Sequence, residues 1–347
     1  MRGLMKTARG PGNLELRDVP DPTPGRGEVL VEIAAAGICG SDVHIKHDTA
    51  FYTPPVIMGH EYSGRVVEVG EDVHQIQVGD HVTGPATAYC GQCFHCKTGH
   101  MNRCTAPDKR ILGVSRANGA FAQYMVVPEY IVHKIPSGLS LREAALAEPT
   151  ACVVHTLVEC TPIRPGDTVL VQGPGTTGLI SVQVAKAMGA SRVILTGVTS
   201  DKWRMDIAEK LGADLTIDVQ AEPNAVEIVR EYTGGLGPDV VIEASGAGPA
   251  RRQAFEFVRV AGHIALIGLQ GNTIDINLDD IVTKELKVLG TWGTLPSTWV
   301  TTLRMMSARQ IDVRPLITHT ITLNQWQEGF SLMEERKAIK VLFTDLR

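Results

Sequence analysis

Over its first 150 residues the chain alternates apolar and polar positions in short β-branched runs, at residues 29–34, 63–69, 81–84 and 123–127, with Gly and Pro between them. Period-two runs punctuated by breakers predict an antiparallel, barrel-like β domain. From about Gly166 the texture changes. Compact apolar runs at 168–172, 192–196, 214–218, 240–243, 263–268 and 286–290 predict strands, while 178–188, 202–211, 225–232 and 249–260 carry apolar residues at i, i+3 and i+4 and predict helices. Six strands joined by helical crossovers fill one doubly wound parallel sheet. After Trp292 the pattern breaks again, with a helix expected over 297–308 and strands at 316–323 and 340–343. This tail is expected to return to the first domain, giving an α/β chain with a β-rich part and a nucleotide-type sheet.

Composition narrows the function classes. A chain of 347 residues is long enough for two domains with real cores. With 33 Lys+Arg against 38 Asp+Glu the net charge is -5, and no block of like charge occurs. That balance excludes a basic recognition arm and speaks against nucleic acid or an anionic membrane surface as partner. The apolar stretches, 264–269 among them, fall short of the roughly 20 residues a membrane helix needs. Residues 1–12 carry Arg2, Lys6 and Arg9 and no apolar segment, so no signal peptide is expected and the cytoplasm is the expected location.

The chain has 7 cysteines, an odd number in a protein too large to need disulfide stapling. Four of them form Cys90-Gly-Gln-Cys93-Phe-His-Cys96 followed by Cys104, a spacing that lets four thiolates converge on one ion. A closed tetrahedral cysteine set suits structural Zn2+. An iron–sulfur cluster begins similarly but wants a shorter final spacing and a following Pro, where Thr105 stands here. His95 and His100 lie in the same loop and read as solvated.

A second set of potential ligands is scattered: Cys39 in Ala36-Gly-Ile-Cys39-Gly-Ser-Asp, His60 and Glu61 in Gly59-His-Glu-Tyr-Ser-Gly64, and Glu148 in Ala147-Glu-Pro149. One thiolate, one imidazole and one carboxylate would balance Zn2+ and leave a position open for an alcohol. The third element is Gly173-Pro-Gly175-Thr-Thr177-Gly178, a G-x-G-x-x-G that follows a predicted strand and opens a predicted helix. There the glycines permit a tight turn and close approach of a pyrophosphate to helix N-terminal amides. The acid that usually meets the adenosine ribose of NAD, at the end of the second strand, is replaced by Gly197. Thr199, Ser200, Lys202 and Arg204 offer donors to a 2′-phosphate, and Asp201 could serve as a displaced acid, so both NAD and NADP stay open.

The run Gly59-His60-Glu61 with Gly64, Gly70 and Val73 after it, Cys39 upstream, the cysteine loop, the Gly173 to Gly178 turn and the ending Ile339-Lys-Val-Leu-Phe343 closely resemble zinc-dependent medium-chain alcohol dehydrogenases. The resemblance covers essentially the whole chain in the same order. It implies a GroES-like catalytic domain from residues 1–150 and 294–347 that carries the structural zinc lobe. Between these parts lies a Rossmann-like NAD(P)-binding domain from 151–293, with zinc and nicotinamide held in a cleft. It implies a catalytic zinc on Cys39, His60 and Glu148 with Glu61 beside them as an exchanging ligand, and a structural zinc on Cys90, Cys93, Cys96 and Cys104. Ser41 and His44 resemble the family's proton relay, Lys202 resembles the residue that contacts the adenosine ribose, and Thr150 and His155 fall on the nicotinamide side. A dimer or tetramer paired through an edge strand at 286–290 is implied as well.

Glu148 in Glu-Pro-Thr is similar to the polyol dehydrogenase branch, where the ethanol-oxidising branch has cysteine. His44, Lys46, His47, Asp48 and Thr49 would offer partners to substrate hydroxyls, which cost roughly 1 to 3 kcal/mol if buried alone. Lys46, Arg116 and Arg304 would equally suit a phosphorylated polyol. The expected activity is oxidation of a sugar alcohol to a ketose with NAD or NADP. The nearest rival is an L-threonine 3-dehydrogenase-type enzyme, and a non-catalytic nucleotide-binding relative is disfavoured because such relatives lack the Cys/His/Glu set.

Overall fold

A computed structural model describes residues 1–346 apart from Gln270 and Asn272. The chain divides into two compact units, one of Met1–Ala151, Gly293–Ser307 and Leu316–Arg347, the other of Cys152–Trp292 and Ala308–Pro315.

The first unit is built around the strand Glu28–Gly37, whose alternation of Val29, Val31 and Ile33 with Glu28 and Glu32 gives it one buried face. On one edge it pairs antiparallel with Glu61–Val69. Its other edge is shared: Tyr124–Pro128 pairs with the first half and the C-terminal strand Lys340–Asp345 pairs at Ala36 and Gly37. Ile317–Thr322 then adds parallel to Lys340–Asp345, so the tail does return to the N-terminal sheet. The parallel pair is a departure from an all-antiparallel barrel, and it arises because the helix Trp326–Glu334 carries the chain back between the two strands. Phe121, Phe330 and Phe343 meet edge to face in this core, with Phe121 and Phe343 ring centroids 5.0 Å apart. The helix Pro296–Ser307 contributes Trp299, fully buried and stacked on His133.

The second unit is a six-stranded parallel sheet in the order Leu215–Asp218, Arg192–Gly197, Thr168–Gln172, Val240–Glu243, His263–Leu266, Lys287–Gly290. In chain order this is 3-2-1-4-5-6, the doubly wound arrangement whose ligand crevice lies at the carboxyl ends of the strands beside the order reversal. Leu170, Ile194, Val241 and Ile264 fill the sheet, and Phe255 and Phe257 from the helix Gly248–Phe257 pack on it. Covered on both faces, these strands read as unbroken apolar runs. No helix among the described residues is long and apolar enough to cross a membrane.

Candidate active site and metal centres

Cys39 stands immediately before the short helix Gly40–Lys46, and Asp42, three residues on, ties the site together. Its Oδ2 accepts the Cys39 backbone N–H at 2.9 Å, while its Oδ1 lies 3.5 Å from His60 Nδ1. Asp42 is wholly buried, so its carboxylate favours a proton on the nearby Nδ1. The other ring nitrogen, Nε2, is 3.2 Å from Ser41 Oγ, and the Cys39 thiol is in hydrogen-bond contact with the same imidazole. Burial alone would pull the His60 pKa down, but Asp42, with Cys39, raises it well above the usual histidine value.

Glu61 follows His60 in the strand Glu61–Val69 and takes a different partner. Lys340 Nζ donates to both its oxygens, at 2.7 and 2.6 Å, and to the Ile38 carbonyl at 3.0 Å. Both ends of the pair are buried, and although burial disfavours the ammonium, the Glu61 charge more than offsets it and raises the Lys340 pKa. The Cys39 thiol and the His60 imidazole thus stand near the Asp42 and Glu61 carboxylates. Thiol and imidazole donors with carboxylates beside them fit a divalent cation.

Asp42 and Lys340 were not singled out in the sequence. Their signals are weak: an acid at the third helical position after Cys39 fits the reciprocal capping pattern, and Lys340 directly precedes the apolar run Val341-Leu-Phe343 of its strand.

Glu148 occupies the first turn of the helix Ala147–Val154, half-buried, and Thr150 turns its hydroxyl back onto the Leu146 carbonyl at 2.6 Å. His155 and Glu159 share a π-helical turn, His155–Cys160, with Nδ1 2.6 Å from the Glu159 carboxylate and Nε2 3.7 Å from Cys160 Sγ. The polar loop after Cys39 is largely engaged within the protein. Lys46 and His47 both hold Glu334 at 2.7 Å, Asp48 accepts from Tyr52 at 2.5 Å, and exposed His44 contacts Thr49 at 3.0 Å. Arg116 and Arg304 are exposed.

The four cysteines of the 90–104 loop converge, with ligand atoms all within 4.8 Å of one another. Among the described residues this is the set of three or more potential ligands that meets so closely; Cys39, His60 and Glu148 do not. The Sγ separations include 3.5 Å for Cys93 to Cys96 and 4.0 Å for Cys90 to Cys96 and Cys93 to Cys104. A tetrahedral ion with bonds of about 2.3 Å requires edges of about 3.8 Å, which these distances bracket. Backbone N–H groups of Cys96 and Thr105 draw the Cys93 pKa down to about 5, whereas burial pushes Cys96 up to about 12. A shared cation would favour the thiolate form across the set, and four converging cysteine sulfurs fit Zn2+.

In the second unit the turn after Thr168–Gln172 takes the shape its glycines predict. Gly173 has φ +96°, and a Cβ on Gly178 would lie 1.9 Å from the Gly173 carbonyl oxygen, so this helix packs against the turn only because residue 178 has no side chain. The helix Thr176–Ala187 begins there with Gly175 as N-cap, leaving Thr176 and Thr177 in the first turn where free amides meet a phosphate. Gly197 ends its strand as expected. Lys202 is engaged by Asp206, and Arg204 is paired with Asp201 at 3.2 Å. Asp201 is only 5% exposed and faces Arg204 and the Val198 amide, so the displaced acid of the sequence reading is turned inward.

A doubly wound nucleotide sheet, a cysteine lobe shaped for zinc and a thiol–imidazole cluster define the class of zinc- and nicotinamide-dependent oxidoreductases. Residues 25–137 match the alcohol dehydrogenase GroES-like domain and residues 176–308 the zinc-binding dehydrogenase domain. The chain belongs to this zinc-dependent alcohol dehydrogenase family, with zinc and NAD(P) as cofactors and a small-molecule alcohol as substrate. It is 38% identical over 348 residues to a sorbitol dehydrogenase of Halalkalibacterium halodurans, covering 100% of both chains. A D-arabitol-phosphate dehydrogenase of Enterococcus avium is 37% identical over 99% of this chain and 97% of its own. An L-threonine 3-dehydrogenase of Pyrococcus furiosus is 39% identical over 99% and 98%. Among solved structures, one described as a zinc-binding dehydrogenase from Sinorhizobium meliloti, bound to NADP, superposes with a TM-score of 0.89 at 32% identity, covering 99% of this chain and 98% of that one.

Proposed function

We propose that the protein oxidises a secondary alcohol of an uncharged polyol to a ketose, with Cys39, His60 and Glu148 holding the catalytic zinc and Glu61 an exchanging ligand kept back by Lys340. Bound there, zinc supplies the Lewis acidity that lets an alcohol hydroxyl lose its proton near neutral pH, and the nicotinamide supplies the hydride acceptor. The chain's own residues do the rest. Asp42 holds His60 and the Cys39 backbone in register. Ser41 Oγ, already beside His60, receives the hydroxyl proton, and His44, one turn further on the same helix face and exposed, carries it to solvent. Gly173, Gly175, Thr177 and Gly178 receive the pyrophosphate.

The observation that supports an uncharged substrate is the pairing of the basic side chains that follow Cys39, together with Lys340, while exposed Arg116 and Arg304 keep sugar alcohol phosphates among the substrates to test. An L-threonine dehydrogenase needs a cation for its substrate carboxylate, and a phosphorylated polyol needs one for its phosphate. Lys46 and His47 are both held by Glu334, and Lys340 by Glu61. The full-length likeness to a sorbitol dehydrogenase supports the same choice, while the likeness to an L-threonine 3-dehydrogenase makes that activity the alternative to exclude. The same reading places the enzyme in the cytoplasm as a homodimer or homotetramer, joined through Lys287–Gly290, which lies at the edge of its sheet.

The test is a rate screen of the zinc-loaded protein against sugar alcohols, their phosphates and L-threonine. Turnover with free polyols is expected; turnover with L-threonine alone would move the enzyme to the rival branch.

A further inference from the structure

The strand that should end in a ribose-binding acid ends in Gly197, and the structure shows why the acid is not there. A Cβ on residue 197 would lie 2.9 Å from Met205 Sδ and 3.3 Å from the Pro174 ring, so the space is taken by the helix and by the phosphate turn itself. The next strand supplies a carboxylate at the same level. Asp218 ends Leu215–Asp218 and is the parallel-sheet partner of Gly197. Its Oδ1 accepts the backbone N–H groups of Gln220 and Ala221, at 3.0 and 3.2 Å, and its carboxylate also takes a hydrogen bond from the Thr199 side chain. The Thr199 amide in turn is held by Gln220 Oε1 at 3.2 Å. Asp218 is thus fixed against the very residue, two beyond Gly197, that would otherwise offer donors to a 2′-phosphate. These hydrogen bonds, the Thr199 one first, also hold its pKa below the usual carboxylate value.

Charge points the same way. Lys202 and Arg204, the cations of this turn, are already engaged by Asp206 and Asp201. Counting those two against Asp201, Asp206 and Asp218 leaves the local balance negative. A 2′-phosphate carries about −1.5 to −2 at neutral pH and would meet an ionised carboxylate with no uncommitted cation in this turn. A ribose 2′-hydroxyl would instead find an acceptor.

We propose that Asp218 sets the dinucleotide choice of this enzyme: its carboxylate receives the adenosine ribose hydroxyls of NAD and rejects the 2′-phosphate of NADP, in place of the acid missing at residue 197. This rests on the nicotinamide-dependent reading of the second unit and is independent of which alcohol is oxidised.

The experiment is equilibrium titration of the zinc-loaded, full-length protein with NADH and with NADPH, followed by nicotinamide fluorescence with no alcohol present. The expected wild-type result is a Kd for NADPH roughly tenfold or more above that for NADH, with the ratio shrinking as salt is raised. In Asp218→Asn, which keeps an acceptor for the Gln220 and Ala221 amides, the ratio should fall by about tenfold, chiefly through tighter NADPH binding. A wild-type protein that binds NADPH as tightly as NADH overturns the proposal without any variant, and so does an unchanged ratio in Asp218→Asn. Binding of neither dinucleotide would sink the nicotinamide reading itself, whereas a preference for NADPH sinks only the role of Asp218. Failure on polyols leaves both untouched.

Discussion

The cysteine lobe and the Cys39–His60 cluster, the two candidate metal centres of the first unit, are built in opposite ways. The cysteine lobe gathers all its ligands from one short loop, helped by local N–H donors such as Gln92 and Cys93 onto Cys90 Sγ at 3.4 and 3.3 Å. The Cys39–His60 cluster is assembled by the sheet: Glu61 opens one strand with His60 just before it, Cys39 and Asp42 come from the cap and first turn of the helix after its neighbour, and Lys340 lies 279 positions beyond Glu61 in the chain. A local centre can form or fail almost by itself, whereas an assembled one exists only if strand register is right to the residue. Ion and fold are therefore expected to couple differently in the two.

The widest separation between them should appear on removing one thiolate from each. Cys39→Ser should lower turnover by roughly a thousandfold or more and release one zinc per chain, while circular dichroism shows the fold retained. Cys93→Ser should also release one zinc, but through loss of several kcal/mol of stability, with turnover per folded chain preserved. Zinc content, melting and rate measured on both variants decide this. Near wild-type turnover in Cys39→Ser would break the assignment of the catalytic metal, and a fully stable Cys93→Ser would break that of the structural one.

Next in size is the buried pair that the sheet imposes. Lys340→Met leaves the Glu61 carboxylate in the interior with no counter-charge, which should cost about 3–5 kcal/mol in urea unfolding. Adding Glu61→Leu removes the stranded charge, so the double variant should recover most of that loss, and the cycle measures the coupling directly. A single-variant cost under about 1 kcal/mol, the range of an exposed pair, would show that the assembled centre does not depend on this contact.

How much of this could be read from the sequence follows the same division. The six strands of the second unit were legible because parallel strands covered on both faces are unbroken apolar runs, and Thr168–Gln172 and Val240–Glu243 fall at their expected positions. The cysteine loop was legible because its chemistry is a spacing. Lys340 was not, since nothing local in Lys340-Val-Leu-Phe says that a partner waits at Glu61. The polar residues after Cys39 show another limit: Lys46 and His47 look like substrate contacts in sequence, and only the packing of Trp326–Glu334 shows that Glu334 pairs with them both. Gly197 posed a question that sequence left open, because its answer, Asp218, lies on the neighbouring strand.

The smallest predicted effect tests the part of the assembled centre that touches no substrate. Asp42→Asn keeps the size of the side chain and an oxygen for the Cys39 amide, but removes the negative charge 3.5 Å from His60 Nδ1. An imidazole backed by a carboxylate is a more basic and better oriented ligand, and losing such a partner costs about 10–100-fold in metal affinity. Competition with a chromophoric chelator should therefore show two zinc ions leaving the wild type in one range of chelator strength. In Asp42→Asn the catalytic ion should leave 10–100-fold earlier and the lobe ion unchanged. The lobe acts as the internal control, since a general loosening of the fold would shift both. If the two ions shift together, Asp42 acts through the stability of the helix Gly40–Lys46; if only the catalytic ion shifts, the carboxylate acts through His60, and the fold has built at Asp42 the local support that the cysteine loop gets from its own backbone.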